Sequence, residues 1–141
     1  MKIGITGTRS GMNDQQFADL NQYLIEVIQE YENSEFHHGD CVGVDVEAAT
    51  IAKSMGYKVV CHPPQSDELR AFHASDEIRS PLTYFARNRN IVDETDLLLV
   101  VPYQNDWQPN GGTWYTAMYA KKKKLPYIIF YPNGIVEAND S

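Results

Sequence analysis

The chain carries only two cysteines, Cys41 and Cys61, in 141 residues. Two thiols build no disulfide framework, so the fold must rest on a packed core, as in proteins of a reducing compartment. Positive charge is scarce as well: 12 Lys and Arg stand against 19 Asp and Glu, for a net charge of −7. A sequence-independent duplex binder shows the opposite balance, which argues against nucleic acid as a partner. No apolar run approaches the ~20 residues that span a bilayer, so no membrane segment is expected. Lys2 followed by a short glycine-containing strand does not read as a signal peptide. A soluble, cytoplasmic protein is the expectation.

Several motifs are missing too. There is no G-x-G-x-x-G with its acidic partner, no Gly-Lys-Ser/Thr P-loop and no G-x-S-x-G elbow. These absences disfavour NAD binding of the dehydrogenase sort, P-loop chemistry and an esterase triad. The four histidines, His37, His38, His62 and His73, have no metal-ligand spacing with the cysteines. Neither a metal nor a cofactor is expected.

What is present is regular. With 43% apolar residues the chain can bury one core. Short apolar runs at residues 2–6, 35–38, 57–61, 96–101 and 127–131 read as strands. Helical stripes lie between them. Phe17, Leu20, Leu24, Val27, Ile28 and Tyr31 form the first, opened by an Asn13/Gln16 capping box. Val44, Ala48, Ile51, Ala52 and Met55 form the second, closed by Gly56. Ser80 and Pro81 are expected to open the third, with Tyr84, Phe85, Asn88, Ile91, Val92 and Thr95 on its inner side. Residues 112–124 form the fourth. Residues 62–80 are a long irregular stretch, of the kind that is often functional.

Strands alternating with helices predict an α/β fold: a Rossmann-like parallel sheet of about five strands, covered on both faces. Residues 1–134 form one domain, and 135–141 a polar tail.

In such a sheet, ligands sit beyond the carboxyl ends of the strands. Residues 7–11, 39–43, 62–80 and 102–112 fall there, and glycines cluster in three of these loops. The first offers Gly7, Thr8 and Arg9, whose guanidinium can clamp a phosphate. The second offers Gly39, Asp40 and Gly43, with Asp45 in the first turn of the helix behind. Asp45 either complements the helix dipole or accepts hydrogen bonds from a ligand. Arg87 and Asn90 share a helix face, while Arg89 is placed to pair with Asp93. Gly111, Gly112 and Thr113 open the last helix, where bare N–H groups and the dipole favour an anion. Thr113 either caps that helix or binds phosphate.

These segments, in this order, resemble the SLOG superfamily of Rossmann-like proteins. Gly4 to Arg9 is similar to the "VGTR" opening of DprA, and His38 to Asp45 to its "SGxAxGID" segment. Phe85-Ala86-Arg87-Asn88-Arg89 is similar to "FPxRNR", and Gly111 to Ala117 to the "GGT" helix start of the group. The resemblance implies a nucleotide or nucleotide-derived sugar-phosphate ligand held by the residues named above. The LOG enzymes of the group cleave an N-glycosidic bond with a glutamate, and Thr116 stands at that place here. A hydroxyl supplies no carboxylate chemistry. The alternative of a nucleoside-phosphate N-glycosidase therefore needs Asp45 or Glu47 as the acid. A further alternative, DprA-like binding of single-stranded DNA, would use Tyr103, Trp107 and Trp114 as stacking platforms. Trp114, Tyr115, Met118 and Tyr119 leave apolar surface on the last helix, so a homodimer or larger assembly is expected.

Overall fold

The computed structural model describes residues 1–139. Its elements run β1 (Lys2–Gly7), α1 (Asp14–Glu30), β2 (Glu35–His38), α2 (Val44–Met55), β3 (Lys58–Cys61), β4 (Glu77–Ile78), α3 (Tyr84–Glu94), β5 (Leu97–Val101), α4 (Gly112–Lys122), β6 (Tyr127–Phe130) and β7 (Val136–Asn139). They form one sheet in the order β4-β3-β2-β1-β5-β6-β7. Every pairing is parallel except β6 with β7.

Strand alternation splits the core into two layers. Leu97, Leu99 and Val101 of β5 join Ile3, Ile5 and Phe36 under α1 and α2. Leu98 and Val100 point the other way, to Ile91 and Val92 of α3 and Trp114, Ala117 and Ala120 of α4. β5 is buried along its whole length, as its unbroken Leu-Val run requires. Gly4 lets α3 approach: a Cβ there would lie 2.7 Å from Ile91 Cγ2.

The sheet has seven strands, not about five. Both additions are edge strands with little apolar signal. β4 is two residues inside the 62–80 stretch, paired to Val60 and Cys61. β7 lies in the stretch expected as a tail and folds back antiparallel on β6. Residues 140 and 141 of that tail lie outside the described residues.

The capping box of α1 is present: Asn13 Oδ1 accepts from Gln16 N–H at 2.8 Å and Gln16 Oε1 from Asn13 N–H at 3.1 Å. The start of α3 differs from expectation. Thr83, not Ser80, is its N-cap. Pro81 sits in an extended lead-in, and Leu82 bridges Pro64. The inner side of α3 differs as well: Phe85 is 54% exposed, whereas Arg87 is only 4% exposed. A basic side chain has taken a core position.

Candidate functional site

The strand order reverses between β1 and β5. The loops leaving their carboxyl ends part there, one to α1 and one to α4, and an open parallel sheet then leaves a crevice. A cavity of about 600 Å³ fills it, lined from β1 by Thr6 to Arg9 and from the β5–α4 loop by Tyr103, Gln104 and Asn110 to Trp114. Cys41, Asp45 and the start of α3, with Thr83, Tyr84, Phe85, Arg87 and Asn88, add to the lining. The volume suits a small ligand.

The four helices treat their N-termini differently. Asn13 closes α1 with its side chain. The first turn of α2 is closed by backbone: Val44 N–H donates to Thr8 O at 3.1 Å. At α3 and α4, no side chain caps the first turn. Their leading N–H groups have no intrahelical partner. Both of these open ends line the cavity. Two positive dipole ends thus meet in one hollow. Thr113 leaves its helix uncapped, with Gly111 at the cap position.

Arg9 is exposed at the rim, its guanidinium 5.7 Å from the centre of the Tyr84 ring. Arg87 lies below, 5.5 Å from the same ring centre. The Arg87 head is committed to the protein. Nη1 donates to Gly39 O and to His62 O, the latter at 3.2 Å, and Nε donates to Asn88 Oδ1 at 2.7 Å. It braces the cavity floor and adds positive potential there.

Asp45 forms the rest of the floor. Its Oδ2 accepts from Gly39 N–H at 3.1 Å and from Cys41 N–H at 3.4 Å. Burial pushes its carboxyl up to about 6, although Arg87 and the two N–H donors pull the other way. Desolvation is the largest influence because Asp45 is only 7% exposed. Cys41 stands beside it, 3.6 Å from Arg87 Nη2. Burial raises this thiol, which makes it a poor nucleophile.

Eight of the twelve expected site residues line the cavity: Gly7, Thr8, Arg9, Asp45, Arg87, Gly111, Gly112 and Thr113. Gly39 and Gly43 stand behind it. A Cβ on Gly39 would press to 2.6 Å from Arg87 Nη1 and 2.9 Å from Asp45 Oδ2. Asp40 turns away. Its carboxylate accepts from Arg70 Nε at 2.6 Å and His73 N–H at 2.8 Å, which ties down the 62–80 stretch. Asn90 is not among the lining residues; Asn88 is. Arg89 donates to the Tyr115 hydroxyl at 2.9 Å rather than pairing with Asp93. Asp93 accepts from Tyr119 instead. Thr116 Oγ1 donates to Gly112 O at 2.8 Å, inside its own helix. Glu47 accepts from Met12 N–H at 2.8 Å and holds the loop after β1.

Sequence reasoning missed Tyr84 and Phe85 in the aromatic wall and named Tyr103 only as a stacking platform for single-stranded DNA. Tyr84, Phe85 and Tyr103 line the cavity, and Tyr103 is 68% exposed. Exposed aromatics beside a glycine loop were the available signal. Trp107 packs on Trp114 with ring centres 5.0 Å apart, and Trp114 Nε1 donates to Gln104 Oε1 at 3.1 Å.

No protein-family profile matches the chain, and no curated protein matches its sequence. Solved structures do resemble it. The molybdenum cofactor binding protein of Rippkaea orientalis superposes with a TM-score of 0.67 at 21% identity, over 92% of this chain and 76% of its own. The molybdenum cofactor carrier protein of Chlamydomonas reinhardtii gives 0.63 at 22% identity, over 91% and 74%. DNA processing protein A of Helicobacter pylori, described for its single-stranded DNA binding mode, gives 0.66 at 19% identity, over 92% and 64%. The chain thus spans less than two thirds of that last protein. The chain shares its Rossmann-like fold with these proteins.

Proposed function

We propose that the protein binds a nucleotide or a nucleotide-derived sugar-phosphate in the cavity between β1 and β5. One observation carries this reading: the N-termini of α3 and α4, neither capped by a side chain, open into the same hollow. Phosphate would sit at Gly111–Thr113, with Arg9 reaching over it from the rim. Tyr84, Phe85 and Tyr103 offer flat apolar faces for a base or other ring. The molybdenum cofactor proteins that share the fold make that cofactor a ligand worth including in the test.

The test is calorimetry with AMP, ADP, cyclic nucleotides, ADP-ribose and the molybdenum cofactor. At least one should bind, and Arg9→Ala should weaken it about tenfold or more, the worth of a charge-assisted hydrogen bond. Absence of binding across the panel overturns the reading.

A second reading, N-glycosidic cleavage, has its own observation. Among the described residues Asp45 is the only carboxylate that lines the cavity, and a group titrating at about 6 can hand over a proton near neutral pH. AMP incubated with the protein and analysed for free adenine separates the two. Release that disappears in Asp45→Asn means cleavage; AMP recovered intact means a binder.

Phe85, Tyr115 and Met118 line a groove of about 360 Å³ beside the cavity. Self-association through this face is the oligomer we propose. Light scattering should give a mass of at least two chains, reduced by Met118→Glu.

A further inference from the structure

We infer that the far side of β2 and β3 holds a site for a single transition-metal ion, with His37, His62 and Glu94 as its ligands. Phe36 points into the layer under α1 and α2, so Glu35 and His37 point to the opposite face by strand alternation. That face is apolar over β5 and β6. Over β2 and β3 it is not. His37 and His62 are 1% and 2% exposed, and their rings face each other with Nδ1 of His37 2.8 Å from Nε2 of His62. Glu94, the last residue of α3, comes down over them with an Oε2 atom 4.0 Å from His62 Nδ1. One donor atom from each of the three residues lies within 4.8 Å of the other two.

The surroundings suit an ion. The other nitrogen of His37 is 2.9 Å from Glu35 Oε1. A carboxylate on the outer nitrogen orients a ligating imidazole and raises its basicity. Zinc–nitrogen bonds of ~2.0–2.1 Å at a tetrahedral angle put two nitrogens ~3.3 Å apart. Rings that bind through His37 Nδ1 and His62 Nε2 need to part by about half an ångström, and Glu94 Oε2, which now stands nearest His62 Nδ1, must swing to the Nε2 side. Arg79 holds Oε1 of Glu94 from Nε at 3.1 Å and Nη2 at 2.8 Å, which leaves Oε2 for an ion. Arg79 has a second partner in Glu77, so its charge is shared between two carboxylates. Glu35 and Glu94 remain partly exposed, so the cluster has a solvent-facing side. Two imidazoles and one carboxylate favour Zn²⁺, Co²⁺ or Cu²⁺ over Mg²⁺ or Ca²⁺. The sequence hides this site because its ligands come from β2, the end of β3 and the end of α3, at spacings matching no motif. The ion would be structural: the carbonyl of His62 also braces Arg87.

The test titrates the chelator-stripped full chain with Co²⁺ at pH 7.5 and reads visible absorption, then displaces Co²⁺ with Zn²⁺. About one equivalent should bind, with bands of a low-symmetry nitrogen and oxygen site. Zn²⁺ should raise the melting temperature by several degrees. His62→Gln should abolish the spectrum and Glu94→Gln should weaken binding at least tenfold, while His73→Gln leaves it unchanged. Glu94 is partly exposed, so its variant reports even if His62→Gln fails to fold. No uptake at micromolar metal, or uptake unchanged in Glu94→Gln, overturns the inference. Neither result bears on the cavity ligand, which is measured separately.

Discussion

Gly43→Ala is expected to cost about 3 kcal/mol or more of folding stability and to abolish ligand binding in the cavity. Gly43 has φ +92, where an L side chain is strained whatever the space around it. Here there is no space either. An added Cβ would stand 2.5 Å from Arg9 O and 2.6 Å from Thr8 O. Both obstacles are backbone, so no rotamer change relieves them. Thr8 O is also the acceptor for Val44 N–H and Gly11 N–H, at 3.1 and 3.2 Å. Moving it opens the first turn of α2 and the loop that carries Arg9 together. Gly56→Ala is the control. Gly56 has φ +101 but nothing within 4 Å of its Cβ, so it reports the strain alone, about 1 kcal/mol. Urea unfolding of the two variants separates contact from strain. Equal losses would mean that the loop yields freely and that Gly43 does not hold the cavity wall.

That close approach explains what was legible in the sequence. The glycines of the 39–43 loop read as a sharp turn near a ligand. Apart from Asp45, their actual partners, the Thr8 and Arg9 backbone and the Arg87 side chain, lie far along the chain. The βα order and the two-sided core were readable because apolar periodicity is local. Leu97 to Val101 needs no neighbour to announce a buried strand. β4 and β7 were not readable, since two residues, Glu77 and Ile78, or a polar Val136–Asn139 become strands only when an edge offers hydrogen bonds. Arg87 shows the same limit. Nothing nearby in sequence says that it is buried, because the carbonyls that accept its protons belong to Gly39 and His62. The start of α4 was the most legible of the loops. Gly111-Gly112-Thr113 announces an open helix start, although Thr113 does not cap it. The equally open start of α3 stayed hidden behind the Ser80-Pro81 pair.

Asp45→Asn should stabilise the protein at pH 7, by up to about 3 kcal/mol, and not at pH 4. The unfolded carboxyl titrates near ~3.9. In the fold it titrates at about 6. Between these values the folded chain keeps a proton that the unfolded chain has released. Stability therefore falls as pH rises through this window, and the loss is complete above the folded value. Asparagine has no proton to lose and keeps an oxygen for the N–H groups of Gly39 and Cys41. The difference in unfolding free energy between variant and wild type should thus grow from pH 4 to pH 7. Taking the difference cancels the other titrating groups. A pH-independent difference would mean that Arg87 already compensates the buried charge. The same carboxyl reaches into ligand binding. Once ionised it repels an anion at Gly111–Thr113, so wild-type affinity for a phosphate ligand should drop between pH 5.5 and 7.5, and Asp45→Asn should flatten that drop.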